Sequence, residues 1–197
     1  MEQLTELGIE TAQVTLHVGV GTFRPVSADN VRDHVMHHEK ISVSRDTVAQ
    51  LCQARNRPVF AIGTTSARTL ESLYWMGVKL LKNGPGTNIE VNQWDPYNQN
   101  QEDQVPVNDA LQRLLEYFDE MKISQLTSET RLMILPGYRY RMLSGLITNF
   151  HMPQSTLLLL VAAMIGGDWK RVYEYALVND FRFLSYGDSC LFFYQQA

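Results

Sequence analysis

Apolar and polar positions along the chain change their period several times, and each change marks the edge of an element. The β-rich run at 13–18 (QVTLHV) leads into a glycine-bearing loop, GVGTFRPV, which predicts a strand feeding a loop. A second short strand is predicted at 40–43. Ser44 opens SRDTVAQLCQARN, where a cap-type residue precedes Val48, Leu51 and Cys52 at helical spacing. Residues 58–62 (PVFAI) form a continuous apolar run suited to a strand buried on both faces. GTTS follows directly, and then the helical ARTLESLYWM, with Gly77 as its expected end.

From 82 to 107 the composition shifts to Asn, Gln, Gly, Pro and Asp without periodicity, which predicts a long polar insertion and the most mobile part of the chain. Asn108 is the expected cap of DALQRLLEYFDEMK, whose Leu111, Leu114, Leu115, Phe118 and Met121 make one apolar stripe. Strands are expected at 131–135 and 140–148, on either side of the turn PGY. Ser155 is placed to cap the apolar STLLLLVAAMIGG and Asp168 to cap DWKRVYEYALVND, while FRFLSYGDSCLFFY reads as a turn entering a last strand. No internal repeat with a period of about 20 to 50 residues is present. This alternation predicts an α/β fold, a single domain over 1–197 around a largely parallel sheet with right-handed crossovers.

Composition narrows the function classes. At 197 residues, 45% hydrophobic and 19% charged, the chain is an ordinary globular one with enough apolar content for a core. A net charge of −4 argues against holding nucleic acid by a general electrostatic field, so any such contact must be local. Cys52 and Cys190 lie far apart and form no CxxC pair, which fits a reducing compartment and a cytoplasmic location. MEQLTELGIE is too acidic and polar for a signal peptide, and the apolar run at 156–165 is too short to cross a bilayer core of about 30 Å.

In parallel α/β sheets, ligands bind outside the carboxyl ends of the strands. GVGTF, GTTS and TNFHMPQS occupy such positions and are expected to share one sheet edge. Thr64, Thr65, Ser66 and Ser155 are usual capping residues, but as a group at strand ends they favour a site. All five histidines fall in or beside three places: His17 at the first loop, His34, His37 and His38 in HVMHHEK, and His151 in TNFHMP. Histidine suits acid and base work near neutral pH. His38 reads as structural. HVMHHE lacks the helical HExxH arrangement and an identifiable distant ligand, so no metal site is assigned. GVGTFR lacks the third glycine of a dinucleotide fingerprint, which leaves a nucleotide-dependent oxidoreductase little support. Asp188 and Glu71 are spare carboxylates raised by their placement.

VTLHVGVGTFRPV, HVMHHEKISVS, AIGTTSARTLES, LPGYRY, GLITNFHMPQSTLLLLVAAMIGG and FRFLSYGD, in this order, resemble the S-adenosylmethionine:tRNA ribosyltransferase-isomerases of the queuosine pathway. The resemblance covers nearly the whole chain apart from about residues 78–128. It implies the C-terminal portion of a larger α/β barrel-like domain, without the family's inserted β-barrel, as a cut piece or a truncated relative. It also implies S-adenosylmethionine as ribosyl donor, a tRNA with a queuine-type anticodon as acceptor, and no metal.

The expected reaction transfers the ribosyl group to an aminomethyl-deazaguanine wobble base and isomerises it to give epoxyqueuosine, releasing adenine and methionine. His151 and His17 are then candidates for acid and base, with His37 beside them and Asp188 placed to hold a histidine tautomer or balance the sulfonium. Gly63, Thr64, Thr65, Ser66, Thr148 and Asn149 are expected around the ribose and adenine, with Phe150 or Tyr186 stacking on the base or facing the sulfonium. Arg24, Arg68, Arg139 and Arg141 are candidates for phosphate contacts. The alternative is a non-catalytic adenosine- or S-adenosylmethionine-binding or assembly module that needs the family's N-terminal portion. An exposed apolar edge and self-association are expected of the chain in isolation.

Overall fold

The strands at 15–17 and 39–44 pair with one another rather than with the apolar run at 60–62, which is buried on one face only, and this divides the molecule into two sheets. The computed structural model of the chain describes residues 2–17, 31–54, 57–98 and 105–194. Along them run α1 (Glu2–Glu6), β1 (Thr15–His17), β2 (Glu39–Ser44), α2 (Arg45–Gln53), β3 (Phe60–Ile62) and α3 (Thr64–Asn83). The second half contributes α4 (Val107–Met121), β4 (Gln125–Thr130), β5 (Gly145–Asn149), α5 (Thr156–Ile165), α6 (Asp168–Val178) and β6 (Ser189–Phe193).

The fold is mixed α/β, but the largely parallel sheet expected from the alternation does not form. The first sheet, in the order β1-β2-β4, is antiparallel throughout, and the second, β3-β5-β6, joins one parallel pair, β3 with β5, to one antiparallel pair. The reason is that the chain changes sheets at α2. β2 stays with β1 and β4, while β3 finds its partner in β5, which leaves one parallel crossover among the described strands. These strands make two separate sheets, with no closed barrel among them.

Helix ends follow local chemistry in some places and tertiary packing in others. Ser44 caps α2 by accepting from Thr47 N at 3.1 Å, and Ser155 caps α5 by accepting from Leu158 N at 3.1 Å. Asn108 is not the cap of α4, because the helix already starts at Val107 behind Pro106; α6 likewise starts at Asp168 behind Gly167. Gly77 does not end α3, which runs straight through it to Asn83. A Cβ at Gly77 would lie 2.1 Å from the carbonyl oxygen of Ala110, so the glycine is the notch into which α4 packs. Gly77→Ala gains at most about 1 kcal/mol in helix propensity, whereas overpacking against immovable backbone costs about 1–3 kcal/mol or more. The variant is expected to unfold at lower urea concentration than the parent, and an unchanged or higher midpoint would show that the two helices do not meet so closely.

The polar insertion is not without regular contacts, as far as it is described. Ile89, Val91 and Gln93 alternate inward and are buried, and Val91 forms a parallel bridge with Thr130 on the outer side of β4. Val91 N donates to Glu129 O at 3.0 Å and Arg131 N to Val91 O at 2.8 Å. Lys79 of α3 pairs with Asp95 at 2.6 Å, and the Tyr97 hydroxyl donates to Met133 O at 3.0 Å. Residues 84–98 thus form a strap tied to α3 and β4; 99–104 lie outside the described residues. The strand expected at 131–135 falls instead at 125–130, where Leu126, Ser128 and Thr130 face inward.

The core between these layers is built from α3 and α4 against both sheets, with Leu73, Tyr74, Met76, Leu111, Leu114 and Phe118 almost fully buried. Phe192 and Leu146 are buried on one face of the second sheet, while Phe60, Ile62, Leu191 and Phe193 stand exposed on the other.

Candidate functional site

Of the three loops expected at one sheet edge, two are brought together. The parallel pairing of β3 with β5 continues one residue past the end of β3, since Gly63 N donates to Ile147 O at 2.8 Å. Gly63 has φ of 89°, a conformation that side-chain-bearing residues rarely adopt, and this sharp turn lets α3 begin at the strand end. Thr64, Thr65 and Ser66 are therefore first-turn residues, not caps. No side chain caps α3, so its first amide N–H groups are aimed past the end of β3, beside Thr148 and Asn149 of β5. Thr64 is buried and Thr65 and Ser66 are half-buried.

Behind this opening, TNFH is fixed from several sides. His151 Nε2 and Thr148 Oγ1 lie 3.0 Å apart, His151 N donates to the Tyr173 hydroxyl at 3.1 Å, and Cys190 Sγ donates to Thr148 O at 3.4 Å. His151 is 8% exposed, and burial pushes its imidazole down to about 4, so the ring is neutral at pH 7. Burial pushes the Cys190 thiol up to about 11 and the Tyr173 phenol up to about 12, which keeps both protonated. The ring thus offers an acceptor or a base, never a resident cation, near neutral pH.

Several candidates take other roles. Phe150 is no stacking platform: it is buried among Tyr173, Phe181 and Phe183, with ring centroids 5.2–5.6 Å away. Asp188 does not orient His151; it accepts from Arg182 N at 2.7 Å and pairs with the Arg182 guanidinium, closing the FLSYG turn. Those bonds hold its carboxyl below the usual range. Asn149 Nδ2 reaches the same turn, at Gly187 O (3.2 Å) and Asp188 O (3.3 Å), and Tyr186 at its tip is 96% exposed. The clasp therefore carries Tyr186 rather than a tautomer-setting carboxylate.

His17 is exposed on β1, in the other sheet, opposite Lys40. GVGTF and Arg24 lie outside the described residues. His37 is exposed just ahead of β2, His34 is half-buried with its imidazole held below the ordinary value by burial and then by His37, and His38 pairs with Glu129 at 2.9 Å. Arg68 is not offered to phosphate: it is 2% exposed and bonded to Glu39 at 2.8 Å. Arg139 is exposed, and Arg141 sits over the Tyr74 ring with its guanidinium carbon 5.8 Å from the centroid. Glu71 is fully buried, accepting from the Tyr138 hydroxyl (2.7 Å), Arg141 N (3.0 Å) and Met142 N (2.9 Å), and so anchors the RYR stretch. Desolvation raises its carboxyl against those bonds. Among the described residues, no three His, Cys, Asp or Glu side chains converge as metal ligands would, and no helix is long and apolar enough to cross a membrane.

Residues 1–192 match the family described as queuosine biosynthesis protein. The chain belongs to that family. Among solved structures, the queuosine-family chain is similar to an S-adenosylmethionine tRNA ribosyltransferase from Thermotoga maritima, with 27% identity and a TM-score of 0.58. The likeness covers 96% of this chain and 47% of that one, so the chain spans about half the length of this relative. Tyr173 and Cys190, which grip the His151 loop in this queuosine-family chain, were not singled out by sequence: each sits in an ordinary apolar pattern, and only the packing of α6 and β6 against β5 brings them there.

Proposed function

We propose that this chain supplies S-adenosylmethionine-binding and reacting residues to the ribosyltransferase-isomerase step of queuosine biosynthesis, acting in the cytoplasm as one domain over residues 1–197. In this reading the ribosyl group of S-adenosylmethionine passes to an aminomethyl-deazaguanine wobble base, in a tRNA with a queuine-type anticodon. It then rearranges to the epoxycyclopentanediol of epoxyqueuosine, and adenine and methionine leave. The observation that carries the reading is the junction of GTTS and TNFH at Gly63 and Ile147, inside a chain of this family.

The chemistry available there suits the donor substrate. The sulfonium acidifies the neighbouring ribose carbon, so one base and one acid near the ribose suffice. Uncapped N–H groups of α3 and the hydroxyls of Thr64, Thr65, Ser66 and Thr148 are donors and acceptors for ribose hydroxyls and adenine edges. His151, neutral, is the base or hydrogen-bond acceptor at this opening, and His17 of β1 and His37, just ahead of β2, are the further histidines for proton transfer. Tyr186, exposed at the tip of its turn, would stack on adenine or the acceptor base, and Arg139 and Arg141 are the candidates for phosphate contacts.

Calorimetric titration with S-adenosylmethionine, adenine and methionine tests this reading. Saturable binding of S-adenosylmethionine is expected, weakened about three- to tenfold by Thr148→Val or Thr65→Val, as loss of one hydrogen bond predicts. Absence of saturable heat in a folded sample overturns the assignment of the donor site to these loops.

A further inference from the structure

We infer that Gln93, from the polar strap, is a positioning residue that sets the backbone carrying His37; the inference rests on the reading of His37 as a site residue. Gln93 is 9% exposed and both ends of its side-chain amide are used. Its Oε1 accepts from Met36 N at 2.9 Å, and its Nε2 donates to His34 O at 2.6 Å. These two backbone groups belong to residues two apart, and bonding one N–H and one C=O on the same side of an extended segment is what a neighbouring strand does. Residues 34–38 precede β2 and have no strand partner among the described residues. One amide side chain takes that place.

The geometry fixes Met36, His38 and Glu39 and leaves Val35 and His37 turned outward. Met36 is 6% exposed and plugs the backbone into the interior. His38 pairs with Glu129 of β4, and Glu39 is bonded to Arg68 on the second turn of α3. His37, between Met36 and His38, is exposed. The clamp is itself attached to rigid elements, through Val91 to β4, through Asp95 to Lys79 of α3, and through Gln93 O to Met133 N at 3.4 Å. Glutamine is required here because a buried site asking for one donor and one acceptor is met by an amide, while a carboxylate meets only half of it and leucine neither. The polar strap thereby acquires a function: it ties the histidine segment to α3, the helix whose first turn faces the candidate donor site.

Gln93→Leu removes both bonds at similar volume, and Gln93→Glu keeps the acceptor while its ionised form loses the donor. Amide hydrogen exchange of Met36, normalised for intrinsic rate, is expected to quicken at least about tenfold in Gln93→Leu at pH 7, and by a smaller factor in Gln93→Glu, whose carboxylate still accepts from Met36 N but meets His34 O without a donor, with Ile41 and Val43 of β2 unchanged. In Gln93→Glu the protection is expected to return as pH falls through the carboxyl titration, because a protonated carboxyl both donates and accepts; Gln93→Leu shows no such return. Adenine release from S-adenosylmethionine in the presence of tRNA is read alongside, with His37→Ala as the reference. A fall in kcat of about tenfold for Gln93→Leu, with KM for S-adenosylmethionine near the parent value, is the expected split for a displaced group. Unchanged Met36 exchange overturns the clamp, and faster exchange with parental kcat overturns the positioning role. Parental turnover in His37→Ala overturns the reading of His37 and this inference with it, and the exchange data then report on the fold alone.

Discussion

Arg68→Ala is expected to cost about 3–5 kcal/mol of unfolding free energy, because it leaves the carboxylate of Glu39 buried without its guanidinium. Both side chains are at most 3% exposed and bonded at 2.8 Å, so the pair is shielded from salt and the loss should persist at high ionic strength. Arg68→Ala with Glu39→Ala should cost less than the two single changes added together, since the second removes the stranded charge. Arg68→Met with Glu39→Leu should return close to the parent, as apolar replacements of buried pairs commonly do. Urea denaturation of the two single and two double variants, at low and high salt, reads these values. A loss under about 1 kcal/mol for Arg68→Ala, the size of an exposed pair, would mean that the guanidinium has a route to water. The pair joins the start of β2 to the second turn of α3, so its loss should also loosen the histidine segment from the candidate donor site.

Arg68 shows why site assignment from sequence stops where it does. An arginine one turn into a helix after GTTS reads as a phosphate contact, and only the position of Glu39 across the core turns it into a buried strut. Phe150 and Asp188 fail for the same reason: an aromatic ring and a carboxylate within a motif look alike whether they face a ligand, the core or a turn, and here they face Phe183 and Arg182. What sequence pattern did capture is local. Ser44 and Ser155 cap because the side chain finds its N–H within one turn, and the apolar run at 60–62 lies next to the strand ending in TNFH.

The sheet arrangement was not legible, because alternation of strands and helices says nothing of which strand pairs with which. β4 was missed because two of its inward residues, Ser128 and Thr130, are polar; Thr130 is held there by the Ser72 hydroxyl at 2.8 Å rather than by apolar packing. The strap carried a readable signal in the alternation of Ile89, Val91 and Gln93, hidden among asparagines and prolines.

His151→Ala is expected to lower turnover by about 10²- to 10⁴-fold, the range for removal of a group that moves a proton. The same substitution should change how stability depends on pH. The folded imidazole titrates at about 4, below its ordinary 6.5, so between these values the unfolded chain binds a proton that the folded one does not. The stability that the neutral, buried ring allows is fully present above pH 6.5 and is lost as pH falls, by about 3 kcal/mol on reaching pH 4. In His151→Ala this component is absent, so the difference in unfolding free energy between parent and variant should shrink on acidification from pH 7 to pH 4. Denaturant titrations at pH 7, 5 and 4 measure it, and a difference that stays constant would mean that the ring is solvated in the folded state. A base titrating near 4 also leaves no limb near pH 6.5 in the kcat/KM profile. A limb found there belongs to another group, and its disappearance in His37→Ala or His17→Ala would identify the histidine that exchanges protons at neutral pH. Full activity in His151→Ala would reduce its ring to a partner of Thr148 that fixes the loop.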